Sequence, residues 1–317
     1  MEADFSSLQR AVTVVLNLSL ALLVGASAAL LWLRTAPSPW AAALRSRLRA
    51  LLLGATAGAM LAYGGILWVE AASMAEVPLL DALPAVRSVL TATHWGLAWT
   101  IGAAALLAAG ALALASPHSQ ANRALIAARL LAIGVLLYSR SMVSHAGAGG
   151  DFSWAVAVDW VHLLLVSLWV GEVIVAGLIV LRALPGDLPR DLPAGRADCA
   201  RYVEALSHSA TLALAGIFLT GALGAWRVLG SPQDLLGNTY GSALLVKVAL
   251  VLCAAALGGF NRFRVMPALL GSLRQPRGPG PDIGRRFARI LQLEALLLLA
   301  AILAAAVLTS SPPPMAS

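Results

Sequence analysis

Three histidines of this 317-residue chain have the residue type and the placement of metal ligands. His94 and His162 lie inside long apolar stretches, and His145 lies in a short polar connection. Lipid cannot solvate an imidazole, so a histidine within a membrane span usually faces a cavity, binds an ion or pairs with another polar group. Threading the chain through a bilayer places His94 and His162 at a similar depth, about 12 Å from one side, with His145 above them. The sequence therefore predicts a metal site formed by these three side chains.

Carboxylates and thioethers on the same side of the membrane predict which metal this site takes. Asp159 precedes His162 by three residues and shares its helix face, where it can orient the imidazole. Glu70, Met74 and Met142 are candidates for further ligands or for hydrogen-bond partners of ligands. Imidazole combined with thioether suits copper, and Cu(I) is favoured over Cu(II) because methionine is a soft ligand. A zinc site would more often show three or four ligands at short fixed spacing.

A packing role for the same residues stays open. A lone histidine in a helix more often packs or donates a hydrogen bond than binds a metal. Met60, Tyr63, Leu67, Glu70 and Met74 recur at helical spacing, and methionine in such a stripe is commonly a gap-filling core residue. The residues alone therefore leave a ligand role and a structural role as alternatives.

Further polar residues are predicted nearer the opposite side of the membrane. Glu172 and His208 are candidates for an inner relay that passes a cation onward, although His208 could equally be a solvated helix-end residue. Lys247, by contrast, is predicted close to the outer end of its helix, and Glu294 one to two turns inside the inner end of its own. Because these depths differ, both are predicted to provide charge balance or lipid contacts.

Long apolar helices must position all of these residues. The chain is 60% hydrophobic and 12% charged, so its solvent must be lipid. Continuous apolar runs exclude a barrel, whose strands would alternate. We predict an all-α integral membrane protein, one polytopic domain over residues 1–317, built as a bundle of about eight transmembrane helices. The predicted spans are 11–33, 48–70, 85–115, 123–140, 154–181, 205–228, 241–260 and 287–309.

Arginine predicts the orientation of the bundle. Seventeen arginines fall in or beside the first, third, fifth and seventh connections, and four fall on the other side. The positive-inside rule then places both termini on the outer, periplasmic side. The net charge of +7 reports this topology and contact with anionic membrane lipids, not nucleic acid. Segments 182–204 and 261–286 are rich in Pro, Gly and Arg and are predicted to be cytoplasmic loops.

Several motifs resemble the bacterial copper-resistance protein D family (CopD, PcoD). They are Ser144-His145-Ala146, Asp159-Trp160-Val161-His162, Ser167-Leu168-Trp169-Val170-Gly171, Asn238-Thr239-Tyr240-Gly241 continuing to Lys247, Gly259-Phe260-Asn261-Arg262, Glu294 and Leu308-Thr309-Ser310-Ser311-Pro312-Pro313-Pro314. The resemblance is concentrated in residues 140–314, and the first four spans fit the family's eight-helix plan with less distinctive motifs. Two departures are Glu172, where relatives often have glycine, and Ser207-His208-Ser209, where relatives often have Phe-Ser.

The resemblance implies a function and partners. It implies a multi-pass protein of the bacterial inner membrane that moves copper ions from periplasm to cytoplasm. It also implies cooperation with a small periplasmic copper carrier of the CopC type. A homo-oligomer stays open, since nothing in the sequence fixes the number of copies.

Other functions stay open beside copper transport. His94 and His162 on two helices could be the axial ligands of a haem in a membrane redox protein. A copper sensor or docking protein that binds metal without transporting it fits the same residues. An enzyme is not expected, because no nucleophile–base pair, paired carboxylates or P-loop stands out. The two cysteines are far apart and outside any Cys-x-x-Cys motif, which disfavours a disulfide or thiolate site.

Overall fold

A computed structural model describes residues 5–115, 122–181, 193–228, 239–274 and 281–309, and these ranges are helical without any β-strand. Ten α-helices are described, in chain order α1 Ser6–Leu33, α2 Pro39–Ala75, α3 Leu83–Ala92, α4 His94–Leu114, α5 Arg123–Met142, α6 Trp154–Val175, α7 Pro193–Val228, α8 Thr239–Phe260, α9 Met266–Leu273 and α10 Pro281–Thr309. Single π-helical turns extend α6 over Ala176–Val180 and join α8 to α9 over Asn261–Val265. Short 3₁₀ turns lie at Leu79–Asp81 and His145–Gly149.

Eight of the helical segments are long and apolar enough to cross a membrane, which confirms the predicted all-α bundle of eight spanning helices. Successive spanning helices run in alternate directions, so helix ends collect at two ends of the bundle. We call the end with α3, His94 and the α5–α6 connection the histidine end. We call the other, which holds the α1–α2 connection, the start of α7 and α9, the arginine end.

The predicted third span, 85–115, is wrong at its start because the helix breaks at Thr93. Thr93 is extended, and its side-chain oxygen accepts a hydrogen bond from the Gly96 N–H at 2.9 Å, which begins α4. A Cβ on Gly96 would lie 2.6 Å from the Cα of Leu90, so α3 folds tightly back onto α4. His94 is consequently the first residue of α4, not a residue two to three turns inside a span.

Two predicted loops are also partly helical. Within 182–204, α7 already begins at Pro193, and Cys199, Tyr202 and Val203 are fully buried. Within 261–286, the chain continues through a π-helical turn into α9. These segments carry few apolar residues at regular spacing, and tertiary packing makes them helical nonetheless.

Buried hydrogen bonds at the arginine end hold the start of α7 against the α1–α2 corner. Ser38 caps α2 by accepting from the Ala41 N–H at 3.2 Å, and the Ser38 N–H donates to the Asp198 carboxylate at 3.0 Å. Arg45 donates to the carbonyls of Leu33 and Ala36, at 2.9 Å each, and so satisfies the free end of α1.

The backbones of α1 and α6 touch at the centre of the bundle. A Cβ on Gly25 would lie 2.7 Å from the Cα of Gly171, and a Cβ on Gly171 would lie 2.8 Å from the nitrogen of Gly25. Only glycine on both helices allows this approach, which is typical of packing between membrane helices. Helices α1 and α6 are also the two most buried spans.

Two hydrophobic clusters pack on either side of this crossing. One joins α1 and α2 to α4 and α5, with Leu16, Leu106 and Leu136 almost fully buried. The other joins α1 and α2 to α6, α7, α8, α9 and α10. Helices α7 and α8 are the least buried spans. Most of the exposed apolar surface in the described second half of the chain therefore lies on these two helices.

Replacing Gly171 with alanine should destabilise the bundle, because the added methyl group forces α1 and α6 apart. We expect a loss of about 1–3 kcal/mol, the usual cost of overpacking. Thermal unfolding of the detergent-purified protein measures the change. The matched control is Gly64→Ala in α2, where an added Cβ meets nothing within 4 Å. Equal melting of the two variants would contradict the close crossing.

Candidate metal site at the histidine end

His162 is half-buried, deeper in the bundle than the other two histidines of the predicted site, and α7 fixes its orientation. It lies eight residues into α6, about 12 Å from the start of that helix. Its Nδ1 is 2.8 Å from the Thr220 hydroxyl, which itself lies 2.7 Å from the Gly216 carbonyl oxygen. A carbonyl can only accept, so the Thr220 proton goes to Gly216 and Thr220 accepts from the Nδ1–H of His162. This assignment leaves the Nε2 lone pair of His162 free for a metal ion.

Charged residues surround His162 at the same depth and closer to the histidine end. Lys247 lies eight residues into α8, which matches the depth of His162 in α6. The Lys247 ammonium is within electrostatic range of both His162 and Asp159. Arg140 at the end of α5 is also in range of Asp159 and donates to Asn17 at 2.8 Å. Lys247 therefore lies near the imidazole, and Asp159 lies near both Lys247 and Arg140.

Asp159 connects His162 to the α5–α6 connection. It lies one turn from His162 on α6, and its carboxylate accepts a hydrogen bond from the Ser144 hydroxyl at 3.2 Å. Ser144 precedes His145, which begins the 3₁₀ turn His145–Gly149 and is exposed. Thus Asp159 lies between the surface turn that carries His145 and the half-buried His162.

His94 is held at the surface of the histidine end by a carboxylate that the sequence did not single out. Its Nε2 lies 2.9 Å from one oxygen of Asp151 and 3.0 Å from the other, and the His94 side chain is 52% exposed. Tyr138 donates to the Asp151 carbonyl at 2.8 Å, which anchors this carboxylate to α5. His94 and His162 therefore do not share a depth, and the helix break at Thr93 is the reason.

The other predicted ligands lie apart from one another. Glu70 accepts from the Gln9 side chain at 3.3 Å, and Met74, one turn further along α2, is 48% exposed. Met142 is buried in a small cluster with Ala98 and Val156. Across the described ranges, no three His, Cys, Asp or Glu side chains are arranged to hold a metal ion. The three histidines are thus not gathered into one ligand set in this structure.

The predicted inner pair is separated as well. Glu172 is 2% exposed; one of its oxygens accepts from the Trp32 indole at 3.1 Å, and the other has no hydrogen-bond partner. His208 is exposed and donates from Nδ1 to the Glu204 carbonyl of its own helix at 2.8 Å. Its neighbour Ser209, not His208, lies beside the Glu172 carboxylate.

Glu294 lines a cavity between α6, α7, α8 and α10. Its sequence context predicted only charge balance or a lipid contact. It is 3% exposed, near the middle of α10, and the Trp169 side chain lies within hydrogen-bond reach of it. The cavity has a volume of about 170 Å³ and is mostly apolar. A signal for this site was available in the chain, since an acidic residue within an apolar span is a functional candidate by default.

Two family models match this chain. The model described as Copper resistance protein D matches residues 200–308, and the model described as Copper resistance protein D-like, N-terminal domain, matches residues 4–154. The chain belongs to the copper resistance protein D family. This confirms the resemblance inferred from the motifs and identifies a multi-pass membrane protein of a copper-resistance family.

Two curated relatives of the CopD family protein agree with this assignment. Copper resistance protein D of Pseudomonas syringae pv. tomato is 28% identical over 250 residues, which are 77% of this chain and 78% of the relative. Copper transport protein CutJ of Bacillus subtilis (strain 168) is 27% identical over 178 residues, 56% of this chain. That match covers 32% of CutJ, so the chain corresponds to about a third of it.

Trp32→Phe should destabilise the protein, because the buried Glu172 carboxylate loses its indole donor. We expect a loss of about 1–3 kcal/mol, the cost of leaving a buried polar group without its partner. The measurement is thermal unfolding in detergent beside Trp226→Phe, which alters an indole that is 86% exposed. Because the loss depends on the carboxylate, it should shrink in a Glu172→Leu background. A loss of the same size in that background would assign the effect to packing instead.

Proposed function

We propose that this CopD family member binds copper ions, preferentially Cu(I), and moves them from periplasm to cytoplasm across the bacterial inner membrane. The observation that carries the proposal is the orientation of the His162 imidazole. This imidazole is half-buried in the bundle, Thr220 holds its Nδ1 at 2.8 Å, and the lone pair is then on Nε2. An oriented imidazole with one free nitrogen is what a metal ligand requires. The family and its named copper relatives make copper the metal of choice.

In this proposal the histidines act in sequence, not as one cluster. His94 and His145 are exposed at the histidine end and receive the ion, with Glu70, Met74 and Met142 as further candidate ligands. Asp159 lies between the His145 turn and His162, and it attracts the cation inward. His162 then holds the ion about 12 Å inside α6. Among the candidates for the inner part of the route, Glu172 has the free carboxylate oxygen, and His208 faces outward from α7.

Orientation and partners follow from the same scheme. The arginine excess makes the arginine end cytoplasmic, so the histidine end and both termini are proposed to face the periplasm. A CopC-like carrier would deliver copper there, where His94 is half exposed beside Asp151. Lipid contacts the exposed apolar faces of α7 and α8, and these faces could also bind a second copy in a homo-oligomer. We propose no enzymatic activity.

The membrane potential provides a driving force for inward movement. One positive charge that moves inward gains about 2.3 kcal/mol per 100 mV. Lys247 opposes a cation near His162 and Arg140 opposes one near Asp159, whereas the Asp159 carboxylate favours it. Because repulsion grows with ionic charge, this balance favours a monovalent over a divalent ion.

Copper binding should depend on His162. We expect the detergent-purified protein to retain Cu(I) after loading and desalting, and His162→Ala to lose it because the oriented imidazole is gone. Metal analysis and visible absorbance of the two proteins make the comparison. The matched control is His118→Ala, a histidine outside the described residues that is proposed to have no ligand role.

Each outcome of this loading experiment discriminates between functions. Copper that is lost in His162→Ala alone supports the proposed site, and a Soret band would favour the haem alternative. Copper retained equally by all proteins would overturn the role of His162. Copper-loaded liposomes then separate transport from sensing, since binding without flux would make the protein a sensor or docking protein.

Thr220 should control the affinity of His162 without binding copper itself. Thr220→Val keeps the side-chain shape but removes the hydroxyl that orients the imidazole, and we expect Cu(I) affinity to fall about 10- to 100-fold, as for other partners of metal ligands. Thr220→Ser restores the hydroxyl and should restore affinity. Competition with a coloured Cu(I) chelator gives the dissociation constants. If valine and serine variants bind equally, the hydroxyl has no orienting role.

A further inference from the structure

The cavity between α6, α7, α8 and α10 contains the buried carboxylate of Glu294, which has no part in the copper-binding role proposed for His162. It is bounded by Trp169 and Val173 of α6, by Ser207 and Thr211 of α7, and by Gly258 of α8. The oxygen of Glu294 would lie 3.0 Å from a Cβ at position 258, so glycine there makes room for the carboxylate. A carboxylate in such an apolar space needs a cation or a proton to balance its charge.

Helix geometry places this cavity on the line that leads inward from His162. Trp169 follows His162 by seven residues, so the two share one face of α6 and lie about 10 Å apart along it. Gly258 follows Lys247 by eleven residues and therefore shares one face of α8 with it. The same two helix faces thus border the His162 region and the cavity.

An apolar barrier separates the two sites in this structure. Leu165 lies one turn below His162 on α6, and its side chain packs directly against Gly216 of α7. Ala254 of α8 is fully buried at a similar level, one turn before Gly258. The cavity is therefore a separate compartment beyond His162, not an extension of the same site.

The lining of the cavity includes groups that prefer soft monovalent cations. Met266 at the start of α9 contributes a thioether, a ligand type that selects Cu(I). Trp169 contributes an indole, whose ring attracts cations, and Glu294 contributes the negative charge. Arg262, a positive group at the arginine side of the cavity, donates to the backbone carbonyl of Ser207 at 2.7 Å and to its hydroxyl. These hydrogen bonds hold the Arg262 guanidinium against Ser207 of α7.

We propose that this cavity is a second binding site for a monovalent soft cation, Cu(I) or its analogue Ag(I), with Glu294, Met266 and Trp169 as its binding groups. The inference rests on the proposed copper transport and adds to it a station beyond His162. Binding of one monovalent cation at the carboxylate leaves a neutral pair in the cavity. The site therefore accepts the ion without placing net charge in the apolar interior.

Ag(I) binding to the full-length protein tests the proposal without redox chemistry. A Cys253→Ser parent removes the exposed thiol, which would bind silver. We expect Glu294→Gln to bind one equivalent fewer than the parent, His162→Ala also one fewer, and the double variant two fewer. Equilibrium dialysis with metal analysis gives these numbers. Glu204→Gln is the control, since that carboxylate pairs with Arg274 at 3.3 Å, outside the cavity.

A second variant tests the ligand chemistry at nearly constant volume. In the His162→Ala background, Met266→Leu should weaken the remaining silver site at least tenfold and remove its sulfur neighbour from the silver X-ray absorption spectrum. An unchanged spectrum and affinity would overturn the assignment of Met266 as a ligand.

The outcomes separate the two proposals. If Glu294→Gln binds as much silver as the parent while His162→Ala binds less, the proposal of a cavity site is wrong and the proposal of a His162 site stands. If His162→Ala binds as much silver as the parent while Glu294→Gln binds less, the proposal of a His162 site is wrong and the proposal of a cavity site stands. Loss of bound silver in Glu204→Gln would mean that carboxylates bind the metal nonspecifically, which would overturn the cavity site.

Discussion

The backbone contact between α1 and α6 at Gly25 and Gly171 is the constraint on which the arrangement of polar groups depends. Since α1 occupies one face of α6, the polar side chains of α6 are distributed over the faces that remain. His162 reaches Thr220 on α7, and Trp169 reaches Glu294 on α10. Glu172, one residue after the contact, accepts from Trp32 on α1 itself. Moving α1 outward would break the Trp32–Glu172 contact directly and leave one face of α6 without the helix that packs against it.

Several polar side chains inside this bundle form hydrogen bonds to a neighbouring helix. Arg140 binds Asn17 across α5 and α1, and Arg129 donates to Ser27 across the same pair at 3.1 Å. One oxygen of the buried Glu172 carboxylate has no hydrogen-bond partner, and in the tautomer that the Thr220 contact favours the lone pair of His162 is on Nε2. In a medium that does not solvate charge, such atoms are where an ion can bind.

The histidine end combines exposed histidines with a half-buried one, and this division has a consequence for the proposed function. In the proposed transport, His94 and His145 exchange ions with water or a carrier, whereas the deeper His162 holds an ion that has lost most of its water. Dehydration is less costly for Cu(I) than for a divalent ion, because hydration energy grows steeply with charge. The positive charges of Lys247 and Arg140 act in the same direction. Selection by charge thus follows from depth as well as from ligand type.

The sequence by itself determined the number of spanning helices, the helical class and the copper-resistance family. These properties depend on local composition and motifs. Because lipid requires each spanning segment to be a long apolar helix, the sequence shows the spans directly. It misplaced His94, because the break at Thr93 depends on the close approach of α3 to Gly96. It also missed Thr220 and Asp151 as partners and read Glu294 as charge balance. Which side chains meet is a property of helix rotation and crossing, and only tertiary packing sets those angles.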